Sequence, residues 1–240
     1  METGMGLAGL LAWLQGPPRC YLCLGRCGKG MLCPVCRDSL PGPRVACQRC
    51  GRPLARPAPA CGTCLSRPPP YDSLCCPMEY RFPVDQLIQA LKFNADLVAG
   101  GLLASLLVEP LADRNGPLPQ AILPIPLHPR RQRSRGFNQS SEIARHLGKA
   151  LCLPVLEDCL ERWRHDPPQS SLTALHRRRN VKGAYRLRTR KGRLPESVAL
   201  VDDVVTTGST VDAATRVLKS AGVRRVEVWA VARAMGAPGT

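Results

Sequence analysis

The residues most able to do chemistry lie in one short stretch: Val198-Ala-Leu-Val-Asp202-Asp203-Val-Val-Thr206-Thr207-Gly208-Ser209-Thr210. An almost unbroken apolar run predicts a buried strand over Val198–Val205 that delivers two adjacent acids to its carboxyl end, where ligands of open α/β sheets sit. Val211, Ala214, Val217, Leu218 and Ala221 then recur at helical spacing up to Gly222, a glycine suited to closing a helix. A helix start exposes unpaired backbone N–H groups and partial positive charge, which suits a phosphate. Gly208 lets the backbone approach that phosphate, and Thr206, Thr207, Ser209 and Thr210 add hydroxyl donors with little bulk. Two carboxylates beside a phosphate would repel it unless they serve another group. The 2′- and 3′-hydroxyls of a ribose are donors that carboxylates accept, and a magnesium ion would neutralise the acids further. Diol on Asp202 and Asp203 with phosphate on residues 206–210 describes a ribose 5-phosphate. The competing reading is an Asp-Asp strand end followed by an ordinary Thr/Ser helix cap.

A second cluster is basic. Arg130, Arg131, Arg133 and Arg135 follow a predicted strand over Ala121–Pro126 and precede Asn138 and Gln139. As a loop, Arg130–Gln139 would present guanidinium forks to a leaving diphosphate and its magnesium. Such stabilisation fits a reaction that passes through an electron-poor ribosyl cation. Arg177–Lys182 would then form a hood that excludes water. Alternatively, these arginines track a DNA backbone. A solvated basic face is the default for any single arginine, and it is preferred for Arg186–Arg193.

Eleven of the thirteen cysteines lie in Cys20–Cys76, and eight of them form four Cys-x-x-Cys pairs: Cys20/Cys23, Cys33/Cys36, Cys47/Cys50 and Cys61/Cys64. Two knuckles nine to ten residues apart can wrap one tetrahedral zinc, so eight thiolates suit two structural zinc ions. Sequential use, the first four cysteines for one ion and the last four for the other, is preferred to a cross-braced arrangement of the same residues. Cys27, Cys75 and Cys76 are not expected to be ligands, and Cys152 and Cys159 read as core positions. Thiolate ligands must stay reduced, which favours the cytoplasm.

These residues need a scaffold. The chain has 240 residues, enough for one medium α/β domain and a small appendage. Its net charge of +16 favours polyanionic ligands, while 4% aromatic content leaves few residues to stack on single-stranded nucleic acid. Residues 1–16 form an apolar segment, but Glu2 stands where a signal peptide carries basic residues. Residues 17–67, rich in Cys, Pro and Gly, cannot bury a core of their own and depend on metal. The proline run Pro68–Pro70 marks a domain boundary, followed by a second domain over 71–236. There a strand is expected around Cys76–Arg81, and helices over Val84–Leu91, Leu97–Leu111 and Ile143–Leu151. Further strands are expected within Val155–Trp163, Ala184–Leu187 and Val226–Val231. Strands alternating with helices imply a mostly parallel sheet covered on both faces. The apolar run Leu97–Val108 is shorter than the roughly 18–20 residues of a membrane span.

Val198–Thr210 resembles the phosphoribosyl pyrophosphate signature of type I phosphoribosyltransferases. Across nearly the whole chain the sequence resembles the ComF family, competence-protein relatives of those enzymes. Pro124-Ile-Pro-Leu-His-Pro-Arg130-Arg-Gln-Arg-Ser-Arg135-Gly-Phe-Asn138-Gln139 is similar to that family's most distinctive stretch. Gln169–Tyr185 is similar to its second, and the N-terminal Cys pairs also match. The resemblance implies a type I phosphoribosyltransferase-like fold, a twisted, mostly parallel sheet with helices on both faces, preceded by a small Cys-rich double zinc ribbon. It implies phosphoribosyl pyrophosphate with magnesium as ligand. It also implies a role in natural transformation, where the protein helps incoming single-stranded DNA beside a helicase-like partner. Purine-salvage members place an acid where Thr206 stands, which puts purine-base transfer in doubt, whereas amidotransferase-type members carry a Thr there. Three functions follow: a magnesium-dependent transferase that displaces diphosphate, a DNA-binding accessory factor, and a zinc-ribbon scaffold without turnover.

Overall fold

The computed structural model describes residues 18–28, 30–42, 45–164, 183–188 and 194–234. The apolar segment 1–16, the hood at Arg177–Lys182, most of the second family-like stretch 169–185, and Arg190, Lys191 and Arg193 lie outside them. The chain divides into two compact units, 1–40 and 41–240, so the Cys-rich segment 17–67 spans the division.

In the first unit, helix α1 (Pro34–Asp38) follows the second Cys pair's first member, with Pro34 at its start. The second unit opens with the other two pairs and helix α2 (Gly62–Ser66). Strand β1 (Ser73–Cys75) comes next, ahead of the strand expected at Cys76–Arg81, and β2 (Met78–Glu79) falls inside that range. Pro77, which has no N–H to donate, separates the two. Helices α3 (Val84–Asn94) and α4 (Leu97–Ala112) lead to strand β3 (Ala121–Pro124). Helix α4 continues through Pro110, because a proline in the last turn disturbs little of the ladder beyond it.

Residues Pro129–Arg135 form helix α5 where a loop is expected. This segment has no apolar periodicity. Its ends make it helical: Pro129 stands at the first turn, His128 Nδ1 accepts the Arg130 N–H, and Gly136 closes it at φ +84°. Helix α6 (Gln139–Leu151), strands β4 (Leu160–Arg162) and β5 (Tyr185–Leu187), strand β6 (Ser197–Val205), helix α7 (Ser209–Ser220) and strand β7 (Arg225–Arg233) complete the order.

The main sheet runs β1-β7-β6-β3, with β2 also paired to β7, and every pairing is parallel. Val155, inside the segment expected as a strand, makes a single parallel bridge to Ile122, while β4 and β5 form a separate antiparallel pair. Side chains alternate across β6. Val198 and Leu200 join Leu123, Val226 and Val228 in the core beneath Val211, Ala214 and Leu218 of α7. The opposite face meets α4 and α6. Both faces of β6 and β7 are therefore buried, as their mostly apolar runs require.

Glu227 is buried in the middle of β7. It is held by Arg114, by Arg225 at 2.6 Å and by Trp229 Nε1 at 3.0 Å, so its charge is paired and its oxygens are bonded.

Candidate functional site

Strand β6 carries Asp202 and Asp203 to its carboxyl end, where both are buried, at 9% and 3% exposure. Neighbouring carboxylates at a dry strand end repel each other, and the surrounding residues offset this. Ser140 Oγ donates to Asp202 Oδ1 at 3.1 Å, and the Asp203 N–H donates to the same oxygen at 3.0 Å. Gln139 Nε2 donates to Asp203 Oδ1 at 3.1 Å, and Lys92 forms an ion pair with Asp203 Oδ2. Lys92 comes from the last turn of α3, and Gln139 and Ser140 from the first turn of α6, so two helices and one strand converge on the acids.

Of the residues picked out in the basic stretch, Arg135 reaches this cluster. Its Nη1 donates to Gln139 Oε1 at 2.6 Å, so a relay runs Arg135–Gln139–Asp203. Its guanidinium also lies 5.6 Å from the centre of the Phe93 ring, and its partial burial lowers its proton affinity. Arg130 and Arg131 stand exposed on α5. Asn138 is engaged locally: Nδ2 donates to the Ile125 carbonyl at 3.0 Å, and Oδ1 accepts the Ser140 N–H at 3.1 Å, capping α6. It thereby positions Gln139 and Ser140. The spacing of the sequence gave no sign of Lys92 or of the Ser140 contact, since both meet the acids only through tertiary packing.

Beyond the acids, Gly208 takes φ +82° and α7, a twelve-residue helix, begins at Ser209; the Ser209 N–H donates to Thr207 Oγ1 at 3.4 Å, which leaves the N–H groups of Thr210 and Val211 for a ligand. Thr207 Oγ1 and Ser209 Oγ are 2.6 Å apart, and Thr206 is exposed. A shallow hollow is lined by Asp202, Thr206, Gly208 and Thr210. One acid, Asp202, and the hydroxyl-bearing loop thus line one place, which Asp203 does not line.

The eight knuckle cysteines form two groups, Cys20/Cys23/Cys33/Cys36 and Cys47/Cys50/Cys61/Cys64, with the ligand atoms of each group within 4.8 Å of one another. The use is sequential. Cys27, Cys75 and Cys76 stand outside both groups, and every described cysteine is a free thiol. Four sulfurs around a tetrahedral zinc sit about 3.8 Å apart, given Zn–S bonds of about 2.3 Å. Cys23 and Cys33 Sγ are 3.8 Å apart, and Cys50 and Cys61 Sγ 3.7 Å. Burial pushes the Cys20 and Cys47 thiols up, but backbone N–H groups directed at them prevail and bring them down to about 6 and about 7. One of those bonds, from the Cys61 N–H to Cys47 Sγ, is 3.2 Å long. A ring of N–H donors around a thiolate is what a closed, structural zinc shell requires, and both groups can hold such an ion.

Comparison with known proteins follows from these features. No protein-family model matches the chain. It is 36% identical over 223 residues to the protein named competence protein F of Haemophilus influenzae, which spans 90% of this chain and 97% of that one. It is 36% identical over 232 residues to the DNA utilization protein YhgH of Escherichia coli strain K12, at 92% and 100% coverage. It is 26% identical over 154 residues to the competence protein ComFC of Streptococcus pneumoniae, at 64% and 65% coverage. Among solved structures it is similar to adenine phosphoribosyltransferase of Leishmania tarentolae (TM-score 0.39, 12% identity, 67% of this chain and 90% of that one). It is also similar to a purine phosphoribosyltransferase of Pyrococcus horikoshii (TM-score 0.34, 14% identity, 55% and 80%). Scores this low carry no argument.

Two measurements test the site. Metal analysis of the purified protein is expected to give about two zinc ions per chain, and Cys47→Ser to remove one of them. The second concerns Asp202, whose carboxyl is pushed up from 3.8 to about 7 by burial and by the adjacent Asp203. The folded protein therefore holds this proton more tightly than the unfolded chain. The resulting stabilisation is complete below the unfolded value near 4 and is lost as pH rises through about 7. Asp202→Asn is expected to flatten this part of the pH dependence of the urea midpoint between those limits. An unchanged slope would show that Asp202 does not titrate there.

Proposed function

We infer that the chain, which belongs to the ComF family of competence protein F, binds phosphoribosyl pyrophosphate with magnesium at the end of β6. The observation that carries this is the pair Asp202–Asp203, buried at the carboxyl end of a central parallel strand and followed directly by an uncapped helix start. The acids would accept the ribose hydroxyls, and Thr206–Thr210 with the first N–H groups of α7 would hold the 5-phosphate. Lys92 and Arg135 bring positive charge to the same place, on the side where a diphosphate and its magnesium would stand. Lys92 would exchange its bond to Asp203 for one to the ligand.

Displacement of that diphosphate by an acceptor is the reaction such a site supports. Ligand binding without turnover is the second reading, and it is favoured by one residue: Thr206 stands exposed where a purine-transferring site would offer an acid. In either case we place the protein in the handling of DNA taken up by the cell, from the names its relatives carry, and in the cytoplasm, where thiolate ligands stay reduced. Arg130, Arg131 and Arg133, exposed along α5, supply a row of charge for a DNA backbone.

Calorimetric titration with phosphoribosyl pyrophosphate and magnesium is expected to show binding that weakens about tenfold or more in Asp202→Asn and Asp203→Asn, which corresponds to about 1.4 kcal/mol. Absence of binding at millimolar ligand, or equal binding by both variants, would sink the assignment. For single-stranded DNA, fluorescence anisotropy is expected to show affinity falling steeply as salt rises. Arg130→Ala/Arg131→Ala should reduce that slope by about 1–2. A salt-independent affinity would exclude tracking of phosphates.

A further inference from the structure

A second concavity among the described residues lies away from the acids. It is a cleft of about 780 Å³ that shares Gly208 with the hollow beside Asp202 but touches neither Asp202 nor Asp203. One wall is the loop Thr207–Ser209 and the flank of α7. The other is the second cysteine group, with Arg52 and Arg67, and the proline run Pro68–Pro70. Gly51 lets the second cysteine group approach the sheet edge and Arg233. It takes φ +68°, and a Cβ there would lie 2.6 Å from Leu74 Cδ2 and 3.6 Å from Arg233 Cδ. The Leu74 N–H donates to the Gln48 carbonyl at 3.0 Å, which fastens the knuckle to the sheet edge.

The cleft is basic. Arg52, Arg67, Arg216 and Arg233 line it, against the single carboxylate of Asp212. Arg233 differs from the other three. It ends β7, is 8% exposed, and among the described residues forms no ion pair, and its Nη1 has no hydrogen-bond partner. A guanidinium buried without a counter-charge costs several kcal/mol, and such a group is kept where a ligand supplies the missing charge. Tyr71 and the prolines make the remaining wall largely apolar, suited to the flat, less polar part of the same ligand.

We propose that this cleft is a second ligand site, which takes a nucleotide-sized phosphate ester with its phosphate on Arg233 and the outer arginines and its base or sugar against Pro68–Tyr71. It goes beyond the ribose-phosphate site, because it uses neither acid.

The test is calorimetric titration of the full-length, zinc-loaded protein with adenosine 3′-monophosphate, which has neither the 5-phosphate nor the free diol that the site at the end of β6 would take, and with adenosine and with inorganic phosphate. The nucleotide is expected to bind at least about tenfold more tightly than either fragment. Arg52→Ala/Arg67→Ala, two exposed positions that leave the core intact, should weaken nucleotide binding about tenfold, and Arg233→Met should abolish it. Should Arg233→Met fail to fold, the double variant decides alone. Asp202→Asn/Asp203→Asn should leave nucleotide binding within about twofold while losing phosphoribosyl pyrophosphate, and the arginine variants should do the reverse. Nucleotide affinity that is unaffected in the arginine variants, or lost in the acid variants, would overturn the second site. So would inorganic phosphate binding as tightly as the nucleotide.

Discussion

Two carboxylates forced together at the end of a buried strand are the constraint around which this domain is arranged. Strand β6 can place Asp202 and Asp203 there only because its neighbours satisfy them. Lys92 arrives on α3 and Gln139 and Ser140 on α6, and to do so α6 packs against the sheet and α3 against α4. That packing is apolar. Leu87, Ile88 and Leu91 of α3, Leu103 and Leu107 of α4, and Ile143 and Leu147 of α6 are fully buried and fix where the polar ends of those helices fall. The polar cluster is thus a product of the hydrophobic layer, and the layer is what holds two like charges in register with a helix start.

The same arrangement explains why the site is poised and not merely acidic. Asp202 is held in a position that favours its protonated form, whereas Asp203 lies against Lys92 and accepts from Gln139. A ligand with two hydroxyls and a metal-bound diphosphate would replace internal bonds one for one: a hydroxyl for a serine, a cation–phosphate bond for a cation–carboxylate bond. The internal partners therefore act as placeholders that keep the acids oriented.

Much of this was legible in the sequence where the chemistry is local. The strand β6 and helix α7 follow from apolar runs and a glycine, and the sulfur groups follow from repeated spacing, because ligands three residues apart on one turn must point to one atom. What was not legible is what depends on distance along the chain. Lys92 lies 111 residues before Asp203, and nothing in its surroundings distinguishes it from a surface lysine. Arg233 looks like the end of a strand among many arginines. The helix at 129–135 escaped notice for the opposite reason: it is made by its caps, with no buried face to give a period. Strand β1 lies on the other side of Pro77 from the expected strand, and three residues are too few to show an alternation.

The second sulfur group is fastened to the sheet through Gln48, Leu74 and Gly51, whereas the first lies in a unit of its own. Thermodynamic linkage then applies to the second group. Filling the second and folding the sheet edge are coupled, so whatever oxidises or strips those thiolates also loosens the α/β domain, and whatever ligand tightens the domain raises the affinity for the metal by the same factor. The second metal site would then report on the state of the domain.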